Sequence, residues 1–125
     1  LAGDTVWVER LEGIGPSIES LDQILHTEFA ALKAARVAMD NRIVALVETL
    51  APARLEEDLV YRTVAGEPMR TNVAQVLAHF FNHQTHHRGQ AHAMLSSTTV
   101  APPPLDLLFP ARPSGHRGIA LAIAF

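Results

Sequence analysis

The sequence predicts an all-α domain: a bundle of helices with one short β-hairpin in a connection. Three observations lead there. Two stretches, from Ser17 or Ser20 to about Leu50 and from Thr71 to about Ser96 or Ser97, carry apolar residues at mixed three- and four-residue steps. Each is closed by proline, Pro52 in one case and Pro102 to Pro104 in the other. Between them sits a short run rich in β-branched and aromatic residues, the composition of a strand.

The elements follow in order. Leu1 to Leu11 reads as the end of an amphipathic helix, stopped by Gly13 and Gly15-Pro16. It opens without a capping residue, so further helix is expected upstream of Leu1. Ser17 or Ser20 is the expected cap of the next helix. Its apolar positions include Ile24, Leu25, Phe29, Leu32, Val37, Ile43, Val44 and Val47. Ala30, Ala31, Ala34, Ala35 and Ala38 favour helix and permit close packing. Leu59 to Val64 reads as a strand, Ala65-Gly-Glu-Pro68 as a turn, and Met69 to Thr71 as the returning strand. Thr71 is the expected cap of the last helix. Beyond the prolines, residues 105 to 125 are poorly patterned until the apolar run Ile119 to Phe125. Helices of these lengths bury their apolar faces most simply in a bundle.

Composition narrows the function. A chain of 125 residues fits one domain, since domains commonly hold roughly 100–150 residues. With 48% hydrophobic and 18% charged residues it is not a disordered chain. Ten basic against 13 acidic residues, a net charge of -3, give no clustered positive face, so no nucleic-acid partner is expected. Cysteine is absent, which excludes disulfides and thiolate metal sites and fits a cytoplasmic location. No apolar run approaches the roughly 20 residues of a membrane helix, and the start lacks a signal-peptide pattern. One count stands apart. Seven residues are histidine, and His79, His83, His86, His87 and His92 fall on the last helix.

At about 100° per residue, with His83 as zero, Val76 and Met94 fall near 20°, Phe80 near 60°, Val73 and Ala91 near 80°, and Leu77 and Leu95 near 120°. His83 and His87, at about 0° and 40°, sit inside this apolar sector. His79 and His86 lie on its flank and His92 opposite. His83 and His87 are therefore expected to point into the core, one turn apart. Two readings stand. A core histidine is commonly just hydrogen-bonded; two in register on one face can also share a divalent ion. Gln84 occupies the position where a His-Glu-x-x-His protease site needs glutamate, which excludes that pattern. Two ligands are also too few for a catalytic zinc or nickel site, which wants three and an open position.

The run Asn82-His-Gln-Thr-His-His-Arg-Gly-Gln90 resembles the signature of the DinB-like, damage-inducible family of metal-binding four-helix bundles. Weaker similarity covers Leu1 to Leu11, Leu21 to Arg36, Tyr61 to Glu67 and Pro104 to Leu107, and assigns residues 1–108 to the domain and 109–125 to an unmatched tail. The resemblance implies one divalent ion, zinc or nickel, held by three histidines. Two match His83 and His87; the third would fall just upstream of Leu1, so the chain is expected to be N-terminally incomplete. It also implies a small-molecule substrate such as a thiol. A homodimer is expected on other grounds: without the missing first part, Phe80, Val76 and Met94 would be left partly uncovered, and exposed apolar patches drive association. An enzyme of this type would use the ion as a Lewis acid to activate water or thiol, as a hydrolase or thiol transferase. The alternative is a non-catalytic stress-response or structural bundle that binds metal and acts through association.

Other residues carry smaller expectations. Asp4, about one turn past the missing ligand's place, is a candidate to orient a ligand or accept a proton. Its simpler role is a solvated helix carboxylate. Gln90, beside the ligand face, is a candidate to bond a metal-bound water. Arg88 is expected in a helix–helix salt bridge. Gly89 is expected at a close helix crossing, and Trp7 and Tyr61 as packing residues with a polar edge. No Ser-His-Asp arrangement and no glycine-rich phosphate loop is readable.

Overall fold

The structure, a computed structural model, describes residues 1–105. The tail read at 109–125, and His116 within it, lie outside the described residues. The described chain holds three α-helices and one hairpin: α1 (Ala2–Glu12), α2 (Phe29–Thr49), a 3-10 turn at Pro52–Glu56, β1 (Asp58–Arg62), β2 (Pro68–Asn72) and α3 (Val73–Ser96). It divides into two compact units, Leu1–Phe80 and a second beginning at Phe81, with α3 continuous through the boundary.

α1 ends where glycine allows it. Gly13 takes a left-handed conformation (φ 73°), and the amides of Gly13 and Ile14 return to the carbonyls of Arg10 and Glu9 at 3.2 and 2.9 Å. That pair of bonds satisfies carbonyls the helix itself leaves open. Arg10 in the last turn and Asp4 in the first complement the helix dipole.

The second helix starts later than its apolar pattern predicts. α2 begins at Phe29, after Glu28, and neither serine caps it. Both hydroxyls are committed elsewhere. Ser17 donates through its backbone amide (3.0 Å) and its hydroxyl to the two carboxylate oxygens of Glu9, and Ser20 donates to Asp22. A serine that donates to a carboxylate is not available in the usual way to accept from a helix N–H, and the chain from Gly13 to Glu28 stays non-helical.

The hairpin is where the sequence places it. β1 and β2 pair antiparallel from Asp58↔Asn72 to Arg62↔Pro68. The connection bonds Gly66 N to Thr63 O at 2.9 Å and Thr63 N to Glu67 O at 2.8 Å, with Gly66 left-handed at φ 87°. That is a three-residue loop closed by a glycine bulge. Thr71 is part of β2 and pairs with Leu59, so it does not cap α3. Asn72 does: its Oδ1 accepts from the amides of Ala74 (3.1 Å) and Gln75 (3.4 Å).

The core of the first unit forms two contiguous clusters. Val8, Met39, Ile43 and Phe80 make one, and Leu11, Leu59, Val73 and Val76 the other, bridged by Trp7 and Leu46. Of the three residues expected to be left partly uncovered, Met94 is exposed but Val76 and Phe80 are each 1% exposed; Val8 of α1 and Met39 and Ile43 of α2 fill the space over Phe80. Beyond Phe80 no residue of α3 is buried, and Met94 is 64% exposed. On α2 likewise, Met39 and Ile43 are buried whereas Phe29, Leu32 and Val37 are exposed.

Candidate metal centre

All five histidines from His79 to His92 lie on α3. From His83 to Leu95 no proline interrupts the helix, so the wheel geometry holds and His83 and His87 stand one turn apart on one face. Their Nε2 atoms are 3.1 Å apart and their rings meet edge-on, with centroids at 4.3 Å and an angle of 78°. Gln90 fixes the second ring. His87 Nδ1 lies 2.7 Å from Gln90 Oε1. A carbonyl oxygen only accepts, so Nδ1 carries the proton and Nε2 keeps its lone pair, with which it accepts from His83 Nε2–H. This is the arrangement that orients metal-bound imidazoles: one nitrogen donates to a carbonyl, and the other faces the ion. The ring of His86 stands edge-on to His87 at 5.2 Å.

The spacing of the two nitrogens is that of two ligands of one ion, which they could share once the proton between them is displaced. At zinc–nitrogen distances of about 2.0–2.1 Å, the edge of a tetrahedron is about 3.3–3.4 Å, a few tenths more than the separation found. Exposure differs from the sequence expectation. His83 is half-buried, and His87 and Gln90 are exposed, so the rings share a face without entering a sealed core. Among the described residues, no three His, Cys, Asp or Glu side chains gather into a cluster that would hold an ion.

Asp4 has a different neighbourhood. It is buried in α1 and accepts from Arg36 of α2, which also donates to Asp40 one turn along α2; the chain's amino group lies 3.7 Å from Asp4. Burial lowers the Arg36 guanidinium, but the two carboxylates outweigh it and its pKa stands raised. Burial raises the Asp40 carboxyl above the ordinary carboxylate range against the pull of Arg36. Arg36 Nε and Asp40 Oδ2 are buried with no hydrogen-bond partner among the described residues. Sequence reading singled out neither Arg36 nor Asp40. The signal was present: Asp40 stands between Met39 and Ile43, where an isolated carboxylate is costly, and Arg36 lies at the i-4 position.

Trp7 and Tyr61 pack at 5.5 Å, and the Arg10 guanidinium lies 4.6 Å from each ring centroid while donating to Arg62 O at 2.8 Å. Burial lowers Arg10 below its ordinary value, partly offset by Tyr61. The tyrosine hydroxyl lies 3.4 Å from Thr71 Oγ1, the polar edge expected of it. His79 sits on the flank of α3, exposed, with its ring 5.2 Å from Trp7. Around Gly89 no heavy atom lies within 4 Å of a Cβ built there, so the close helix crossing expected at that glycine is not found among the described residues.

No helix among the described residues is long and apolar enough to cross a membrane. No curated protein and no solved structure gives a significant match to the chain. The DinB family model matches residues 1–118, a span that holds the histidine helix, the hairpin and both helices of the first core. With nearly its whole length matched, the chain belongs to the DinB family.

Proposed function

We propose that this chain is a non-catalytic, divalent-metal-binding module of the four-helix-bundle type, acting through association. One observation carries the reading: the Nε2 atoms of His83 and His87 converge to 3.1 Å while Gln90 holds the His87 proton on the far nitrogen. Zinc or nickel suits such donors, because both accept neutral imidazole readily. His83 and His87 would hold the ion, and Gln90 would orient His87 rather than contact the reacting atoms of a substrate. Association is supported by exposed apolar residues on both long helices, among them Phe29 at 78% and Met94 at 64%. Such surface marks interaction sites.

Calorimetric titration with zinc and nickel tests the reading. Binding is expected in the unaltered chain and is lost in His83→Ala and in His87→Ala. His92→Ala, on the opposite face of the helix, keeps it. Binding that survives both ligand substitutions would remove the pair from the site. Lewis-acid activation of water or a thiol, the enzymatic reading, would show as metal-dependent turnover of esters or thiol acceptors that disappears in His83→Ala. Such turnover would replace the present proposal.

A further inference from the structure

We propose that Arg10, held against Trp7 and Tyr61 at the seam of α1 and the hairpin, binds the carboxylate of a small organic acid. The site is separate from the histidine pair and does not rest on the metal-binding reading. All its residues lie in the first unit. Its centre is the Arg10 guanidinium, 4.6 Å from the centroids of both rings, which are themselves 5.5 Å apart. Two ring contacts and the Arg62 carbonyl, which accepts from Nη2 at 2.8 Å, fix its position. A guanidinium held in this way has already given up rotamer freedom that anion binding would otherwise cost.

The fixed cation has no counter-ion. Arg10 makes no ion pair among the described residues, and the two carboxylates beside it on α1 are committed elsewhere: Glu9 accepts from Ser17, and Glu12 from Arg42. Nε and Nη1 of Arg10 bond nothing among the described residues, and neither is buried. With one N–H of Nη2 spent on Arg62, one edge of the fork stays complete, and its two parallel donors match the two oxygens of a carboxylate. Partial burial disfavours the guanidinium charge, a cost that an incoming anion offsets. The charge is also single. Arg62, next along β1, is exposed and turned to Gly66 O at 2.6 Å, and strand alternation puts it on the opposite face from Tyr61. One cation suits a carboxylate better than a doubly charged phosphate. The half-buried rings of Trp7 and Tyr61, with the His79 ring 5.2 Å from Trp7, offer apolar surface to the body of the acid.

Titration of the full chain with benzoate, followed by tryptophan fluorescence, tests this, since Trp7 is the only tryptophan and lies against the guanidinium. A saturable change is expected, with benzamide, the uncharged counterpart, and inorganic phosphate each binding at least about tenfold more weakly. Arg10→Met abolishes the change. Arg10→Lys keeps the charge but loses the fork, and weakens binding about tenfold. Arg62→Met and His83→Ala leave it as it is. Thermal unfolding checks that each variant is folded; if Arg10→Met is not, Arg10→Lys decides. No saturable change overturns the proposal, as does benzamide or phosphate that binds as well as benzoate, or Arg10→Lys that binds as tightly as the unaltered chain. A response lost in folded His83→Ala would place the carboxylate at the histidines and overturns it as well.

Discussion

Removing the positive charge of Arg36 is the sharpest test of how the first unit is held together. Arg36→Met preserves much of the apolar stem and deletes the guanidinium that joins Asp4 to Asp40. Both carboxylate side chains are 9% exposed, and the arginine that serves them is 23% exposed. Breaking a buried pair by deleting one partner typically costs about 3–5 kcal/mol, because a charge is left uncompensated. The partial exposure of Arg36 places the expected loss near the lower end, about 3 kcal/mol at neutral pH. The pH dependence gives the cause away. Burial already raises Asp40 in the folded state, so its ionised form carries a cost that is absent in acid and sets in as pH rises through its folded value. Without Arg36 the main group that lowers it is gone and only the weaker pull of the chain's amino group is left, so the stability deficit grows from acid to neutral pH. Adding Asp4→Asn and Asp40→Asn to the variant recovers most of the loss, since no buried charge is then left alone. Urea unfolding followed by Trp7 fluorescence, the only tryptophan, reads this unit directly. A deficit below about 1 kcal/mol, as for an exposed ion pair, or one equal in acid and at neutrality, would refute the argument.

Further expectations use other parts of the chain. Phe80→Ala empties the cluster with Val8, Met39 and Ile43 and should cost about 3–5 kcal/mol in the same unfolding assay. Gly89→Ala should stabilise the helix by up to about 1 kcal/mol, because a Cβ there meets open space; a loss of thermal stability would show a close neighbour after all. Gln90→Ala should weaken zinc binding about 10–100-fold without abolishing it, the usual effect of losing a group that orients a ligand; unchanged affinity would separate Gln90 from the site. Lowering the pH should release the ion by proton competition for the imidazole nitrogens, and affinity that is flat into acid would argue against histidine ligation.

Element type was legible from the sequence because local rules decide it. The hairpin follows from Leu59 to Val64 with Gly66 at the bulge, and the close of α1 from Gly13, the residue type that takes the left-handed cap. Boundaries failed where a side chain had two possible partners. Ser17 and Ser20 have the chemistry of helix caps, yet Glu9 and Asp22 hold them as donors, a choice that only the folded chain reveals. Thr71 was displaced as cap by Asn72 because the strand register reaches one residue further than the turn residues indicate.

The histidine face shows why a helical wheel settles direction and leaves burial open. One stripe of α3 runs from Val73, Val76 and Phe80 through His83 and His87 to Met94, and its angular order is the same throughout. The first three residues are sealed by α1, α2 and the hairpin; the later members are half-buried or exposed. Periodicity cannot distinguish these halves, since both use residues suited to a covered surface. The chemistry within the stripe does distinguish them. Valine and phenylalanine need nothing from a neighbour but volume, whereas paired imidazoles oriented by Gln90 carry donors that gain by coordination. A stripe that changes from aliphatic to imidazole where its burial falls off is no longer closing a core there, and that change is the feature on which the proposed metal site is built.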